Sequence, residues 1–106
     1  MSTSFALHPD ALGDLDAIRQ YLAERSPDHA DRVISGIFDA IRGVLVPFPK
    51  AGRRRADLTS RPLRFYVALN QYLIAYAPDE APLWIAAVID GRRSPRVMAA
   101  ILRDRE

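Results

Sequence analysis

The residues best suited to chemistry in this chain of 106 residues are its arginines. Arg53, Arg54 and Arg55 are consecutive in a segment that contains proline and glycine, and Arg92 and Arg93 follow an apolar stretch near the C-terminus. A guanidinium is planar, permanently charged and suited to pairing with phosphates and carboxylates. These arginines therefore predict contacts with an anionic partner, either a nucleic acid or an acidic protein segment.

Arg64 differs from the other arginines because it lies in a pattern of alternating polar and apolar residues. In a strand from Leu63 to Leu69 the odd positions are apolar, so Arg64 and Tyr66 project from the other face. We expect that face to be open, with Arg92 and Arg93 at its mouth. An open sheet face that carries Arg and Tyr is typical of a surface for nucleic acid or an acidic peptide.

Other catalytic signatures are missing from the sequence. The five glycines form no phosphate-binding loop, and the lack of cysteine excludes a disulfide scaffold and any thiolate metal site. His8 and His29 are the only histidines, and neither has a second imidazole at helical spacing. We therefore expect no metal and no cofactor, and we expect structural roles for both histidines.

The composition is that of a soluble globular protein, 49% hydrophobic and 26% charged, and the length fits a single domain over residues 1–106. The charge is uneven, because residues 1–49 carry four bases against seven acids and residues 50–106 carry eleven against six. The longest apolar run, Leu83 to Ile89, is far shorter than a membrane span. Met1 to Asp10 has no targeting pattern, so we expect a cytoplasmic protein.

Two helices are expected in the first half of the chain. Pro9 suits the first turn of one helix, and Ser26 with Pro27 ends it and provides the N-cap and first residue of the next. The second helix ends at Pro47 and carries an apolar stripe, which consists of Ala30, Val33, Ile34, Ile37, Ile41, Val44 and Leu45. The two helices should form an antiparallel hairpin packed against a sheet.

The rest of the pattern predicts strands and one short helix. A strand from Ser4 to Leu7 precedes the hairpin, and a loop from Phe48 to Pro62 follows it. Next come strands at Leu63 to Leu69, Tyr72 to Ala77 and Leu83 to Ile89, with turns at Asn70-Gln71 and Pro78 to Pro82, and a helix that begins at Ser94-Pro95. The order β-α-α-β-β-β-α predicts an α+β fold, an antiparallel meander with the helical hairpin on one face and a short C-terminal helix.

Several short sequence features occur in a recognisable order. They are Leu7-His8-Pro9-Asp10-Ala11 with Asp14-Leu15, the Pro49-x-x-Gly52-Arg53 loop, Leu63-Arg64 before Tyr72-x-Ile74-x-Tyr76, and the stretch from Ile85 to Arg93 that ends in Gly-Arg-Arg. In this order and spacing they resemble the RelE/ParE superfamily of type II toxin–antitoxin toxins over almost the whole chain. The resemblance implies a partner, a small acidic antitoxin with an amphipathic segment.

The resemblance implies one of two activities. Nuclease members cut mRNA on the ribosome with strand Arg and Lys residues and a Tyr or His after the last strand, and Arg64, Arg92 and Arg93 match the cationic positions. Val97 and Met98 stand where the late Tyr or His is expected, and Arg is a poor base. The chain therefore looks more like the ParE branch, whose members inhibit DNA gyrase by binding and without catalysis. A ribosome-dependent mRNA endoribonuclease is the leading alternative, and a domain of the same fold that has lost toxicity is a more distant one.

The gyrase-inhibitor interpretation and the nuclease interpretation assign binding to the same side chains. The residues expected to contact the target or the antitoxin are Arg53, Arg54, Arg55, Arg64, Tyr66, Arg92 and Arg93. In the nuclease alternative, the catalytic residues are Arg64, Arg92 and Arg93. For the loop arginines we expect an affinity that weakens as salt increases.

Overall fold

The computed structural model describes residues 5–105. In chain order its elements are β1 (Phe5–Leu7), α1 (Pro9–Ala23), α2 (Pro27–Ala40), β2 (Arg64–Ala68), β3 (Tyr72–Ala77), β4 (Leu83–Asp90) and α3 (Pro95–Arg103). A π-helical turn, Ile41–Leu45, continues α2 towards Pro47. This order confirms the predicted β-α-α-β-β-β-α arrangement, although Ser4 lies outside the described residues.

Each helix begins with a capping side chain followed by a proline. The ring of His8 accepts a hydrogen bond at Nδ1 from the Asp10 N–H at 2.9 Å, and Ser26 Oγ accepts one from the His29 N–H at 3.2 Å. Ser94 caps α3 in the same way. Proline suits the first helical position because its missing N–H would have no partner there. These local contacts explain why the predicted helix starts are confirmed.

The four strands form one sheet in the order β1-β4-β3-β2. The last three strands form the predicted antiparallel meander, and β1 joins the outer side of β4 in parallel. The turn between β2 and β3 begins one residue earlier than predicted and spans three residues, 69–71, between the paired Ala68 and Tyr72. Leu69 and Asn70 have positive φ values of 56° and 57°. Two successive residues with positive φ, closed by the hydrogen bond from the Gln71 N–H to the Ala68 carbonyl oxygen, are the pattern of a type I′ turn. Leu69 therefore belongs to the turn and not to the strand.

Both faces of the sheet are covered. Under α1 and α2 lies one apolar cluster, which includes Leu15, Ile37, Ile41, Ile74, Tyr76 and Ile85. On the opposite face α3 and part of the loop after α2 cover a second cluster, which includes Leu58, Phe65, Leu73, Ile89, Met98 and Leu102. The expectation of an open face is therefore wrong. Alternation identifies which residues share a face, but it does not identify the element that covers that face.

The predicted burial of the apolar residues in and next to β2 is correct only where the strand begins. Leu63 and Phe65 are buried as expected, whereas Val67 and Leu69 are 54% and 51% exposed. The cluster beneath α3 includes Phe65 and does not extend to Val67. The end of β2 nearest the turn is therefore an exposed margin of the sheet.

Candidate binding surface

Arg64 lies at the margin of the sheet, where β2 begins opposite Tyr76 of β3. Its Nη1 donates a 2.7 Å hydrogen bond to the carbonyl oxygen of Gly52 in the loop between α2 and β2. Tyr66, two residues further on, packs half-buried against the core under the helical hairpin. Arg64 therefore contacts the loop, and Tyr66 lies at the border of the core and not on an exposed platform.

Tyr76 holds this loop in place. Its hydroxyl donates to the carbonyl oxygen of Pro49 at 2.6 Å and accepts from the N–H of Gly52 at 2.9 Å. Burial raises the pKa of the Tyr76 hydroxyl, so the hydroxyl keeps its proton at neutral pH. A Cβ atom at position 52 would lie 2.6 Å from the Phe65 carbonyl oxygen and 2.7 Å from the Tyr76 hydroxyl. Only glycine permits this close approach.

The three consecutive arginines point in different directions. Arg53 pairs with Phe65 through its backbone, donating at 3.0 Å and accepting at 2.8 Å, which extends the segment alongside β2. Side chains alternate along an extended segment, so Arg54 faces away from its two neighbours. Arg55 forms two hydrogen bonds with the Asp57 carboxylate, at 2.9 and 2.8 Å. The three charges therefore lie on two sides of the segment, with Arg54 on one side and Arg53 and Arg55 on the other.

Arg54 joins two other cations. With Lys50 and Arg64 it lines a depression of about 130 Å³, beside the exposed carboxylate of Asp79. The Arg64 guanidinium is anchored on Gly52, while Lys50 and Arg54 are exposed to solvent. Three positive groups around a small depression suit an anionic group on a partner.

Arg92 and Arg93 lie at the other end of the sheet. Arg92 folds back onto Asp90, with 3.0 Å from Nε to Oδ1 and 2.7 Å from Nη2 to Oδ2. Hydrogen bonding to that guanidinium lowers the pKa of Asp90 to about 2. Arg93 is exposed, and it lines a groove of about 460 Å³ beside α1 together with Tyr21.

The structure does not bring Arg64 together with the arginines after β4. Arg64 lies opposite Tyr76, which pairs with Ile85, whereas Arg92 follows Asp90, five residues further along β4 than Ile85. One of those five residues is taken up by a bulge in the β3–β4 pairing, because the β3 partners Tyr72 and Tyr76 are only four residues apart. At about 3.3 Å per residue this is roughly 13 Å along the sheet, before the distance across two strands is added. A single phosphate cannot be held by both groups.

Sequence analysis missed two residues of this surface. Lys50 is the only lysine in the chain. Its position just before the arginine run is the feature of the sequence that could have identified it as part of this surface. Tyr76 had no local signal, because its contacts with Pro49 and Gly52 depend on the long-range folding of the loop. Gly52 belongs to the Pro49-x-x-Gly52-Arg53 motif, and the close contacts of a Cβ atom at that position give the steric reason for the glycine.

The two histidines lie at helix starts. His8 caps α1 and its ring centre is 5.8 Å from that of Trp84, while the exposed His29 lies in the first turn of α2. Across residues 5–105, no three acidic or histidine side chains come together as metal ligands. Both histidines therefore have positions that the folding of the helices explains.

Within the described part of the chain, no helix combines the length and the apolar character needed to cross a membrane.

Comparison with known proteins places this fold in a family. None of the curated proteins compared with the chain matches it. A family model described as the ParE toxin of the type II toxin-antitoxin system, parDE, matches residues 5–95. That range extends from the start of β1 to the first residue of α3. The chain belongs to the ParE toxin family of type II toxin–antitoxin systems.

Proposed function

We propose that this toxin inhibits DNA gyrase by binding to it, without catalysing a reaction, and that a cognate antitoxin neutralises it. The observation that carries the proposal is the separation of Arg64 from the arginines that follow β4. RNA cleavage through the 2′-hydroxyl needs a base, a cation and an acid around one phosphate. Arginines at opposite ends of a sheet cannot act together on that phosphate.

The groups next to Arg64 also favour binding over proton transfer. Tyr76 donates its proton to a backbone carbonyl and has a raised pKa, so it is poorly suited to act as a base. Arg64 itself is directed at the carbonyl oxygen of Gly52. Among residues 5–105, neither Lys50 nor Arg54 forms an ion pair, so both can attract an anionic surface, which is a binding role.

The proposed antitoxin is a small acidic protein with an amphipathic segment. Residues 50–106 carry a net charge of +5, eleven bases against six acids, so this half of the toxin attracts such a partner. If antitoxin and gyrase both contact this half, the antitoxin neutralises the toxin by exclusion. Both proposed partners act in the cytoplasm, and we propose the same location for the toxin.

A ribosome-dependent mRNA endoribonuclease is the second candidate. It is favoured by the depression of about 130 Å³ between Lys50, Arg54 and Arg64, which suits a phosphate. In that case Asp79, the carboxylate at the depression, would have to act as the base. Arg92 and Arg93 would take no part in the chemistry.

The two candidates are separated by parallel assays on the purified toxin. We expect loss of supercoiling by purified gyrase and intact mRNA on translating ribosomes. Cleaved mRNA with normal supercoiling would contradict the proposal and support the nuclease. In that event Arg64→Ala and Asp79→Asn should both abolish cleavage, while Asp104→Asn, which alters an exposed carboxylate after α3, should not.

A further inference from the structure

The two outer strands of the meander, β4 and β2, differ in how their outer sides are covered. The outer side of β4 is covered first by β1, up to the pair of Leu7 with Ile85. Beyond that point the Asp14 carboxylate accepts the Val88 N–H, and the Arg105 guanidinium donates to the Ala86 carbonyl oxygen. Edge strands expose unpaired backbone groups that invite pairing with another chain. Side chains prevent such pairing along this part of β4.

The outer side of β2 is covered only at its beginning. Both backbone groups of Phe65 pair with Arg53. Backbone groups of alternate residues point to the same side of a strand, so the N–H and C=O of Val67 also point outward. Among residues 5–105, neither group of Val67 has a hydrogen-bond partner on that side. The edge from Tyr66 to Ala68 is therefore open.

Nothing in this part of β2 opposes strand pairing. Tyr66, Val67 and Ala68 contain no charge, no proline and no bulge, which are the usual means of blocking an edge. The Val67 side chain is 54% exposed and the neighbouring Leu69 is 51% exposed. An open backbone edge flanked by exposed apolar side chains is suited to receive an added strand.

The basic residues around this edge favour an added strand with acidic side chains. A groove of about 430 Å³ lies beside it, lined by apolar residues and by the arginines at positions 53 and 55. Arg53 is exposed and forms no ion pair among the described residues, while Arg55 pairs with Asp57. Residues 50–69 contain six bases and one acid. Two copies of the chain pairing here would bring like charges together, which disfavours self-pairing.

We infer that an extended, acidic segment of the antitoxin pairs with β2 at Val67 and adds a strand to the toxin's sheet. Backbone hydrogen bonds at Val67 provide affinity, and acidic side chains of the segment meet Arg53. This inference rests on the antitoxin part of the proposed function and is independent of the gyrase target.

Amide hydrogen exchange of the full chain tests the inference. Exchange is followed by NMR for the free toxin and for its complex with the cognate antitoxin. The Val67 amide should exchange freely in the free toxin and slow by at least about tenfold in the complex. The Tyr66 amide, which points towards β3, is the internal control. A complex in which the Val67 rate is unchanged overturns the inference.

A proline at position 67 gives an independent test. Proline is tolerated on an edge strand where the N–H faces outward, so Val67→Pro removes the outward donor and keeps the β2–β3 pairing. Thermal melting checks the fold of each variant, and Val67→Thr is the matched control that keeps the N–H. We expect Val67→Pro to weaken antitoxin binding at least about tenfold, roughly 1.4 kcal/mol, and Val67→Thr to bind like the wild type. Wild-type affinity in a folded Val67→Pro overturns the inference.

If Val67→Pro does not fold, Arg53→Glu still tests the inference. Arg53→Glu changes an exposed side chain and should weaken antitoxin binding most strongly at low salt. Unchanged affinity in Arg53→Glu, or protection of Val67 that rises with the concentration of free toxin, overturns the inference. A wild-type toxin that binds no antitoxin overturns the neutralisation as well. Loss of the gyrase effect alone affects only the gyrase proposal.

Discussion

Asp14 of α1 and Arg105, which follows α3, form an ion pair across 91 positions of sequence, with 2.8 Å between Arg105 Nη2 and Asp14 Oδ1. The same carboxylate accepts the Val88 N–H at 2.9 Å, and the same guanidinium approaches the Ala86 carbonyl oxygen at 3.3 Å. The two side chains are only 17% and 12% exposed. Where β1 ends, this pair therefore completes the edge of β4 and attaches both helical layers to it.

Removing one partner of this ion pair should destabilise the toxin. Asp14→Ala leaves the Val88 N–H without its acceptor, and it leaves the Arg105 guanidinium with only the Ala86 carbonyl oxygen and the more distant Asp10 carboxylate. The loss should cost about 2–4 kcal/mol in the free energy of unfolding. Urea denaturation measures the change, and Asp16→Ala on the exposed side of α1 is the matched control. A loss no larger than that of the control would show that the pair contributes nothing.

Tyr76→Phe should destabilise the loop between α2 and β2. The variant keeps the ring but leaves the Gly52 N–H and the Pro49 carbonyl without the hydroxyl, at a cost of about 1–2 kcal/mol. Tyr21→Phe is the control, because Tyr21 is 70% exposed. Denaturation should show a clear difference between the two variants, with faster exchange of the Gly52 amide in Tyr76→Phe. Equal stability of the two variants would refute the role given to the hydroxyl.

Because Arg54 and Arg55 lie on different sides of the loop, their substitution should have unequal effects on gyrase binding. The double variant Lys50→Ala with Arg54→Ala removes two exposed cations, and we expect it to weaken gyrase binding about tenfold at low salt and less at high salt. Arg55→Ala should have a smaller effect because Asp57 already pairs with that guanidinium. Surface plasmon resonance at two salt concentrations measures both. If Arg55→Ala weakens binding as much as the double variant, the assignment of the depression is wrong.

The pair of Asp90 with Arg92 predicts a pH dependence of stability. The pKa of Asp90 is about 2 in the folded chain, below its ordinary value of 3.8. Its contribution is therefore complete above about pH 4 and is lost as the pH falls towards 2. Asp90→Asn should lower the free energy of unfolding by about 1 kcal/mol at neutral pH, since partial exposure screens the pair. A difference between variant and wild type that stays constant down to pH 2 would contradict this.

Local signals explain the part of the fold that sequence predicts. Ser26-Pro27 and Ser94-Pro95 specify helix starts through contacts within three residues, and the structure confirms both. The apolar stripe of α2 and the alternation around Phe65 specify buried faces by periodicity alone. Each of these signals is short range, so none depends on how the elements pack together.

The missed features depend on contacts between distant segments. The exposure of Val67 is set by how far the layer under α3 extends, and the position of Arg64 relative to Arg92 is set by strand register. The role of Tyr76 depends on a loop 24 residues earlier in the chain. Composition and alternation contain no information on these distances, so the roles predicted for the arginines remain predictions.

A titration of gyrase tests most directly whether this toxin acts by binding. Increasing amounts of toxin are added to a fixed concentration of purified gyrase, supercoiling is measured, and antitoxin is then added. We predict that inhibition saturates near one toxin per binding site on gyrase and that the antitoxin restores supercoiling, because no covalent bond has been broken. Gyrase that remains fully active at a large excess of toxin would contradict the account.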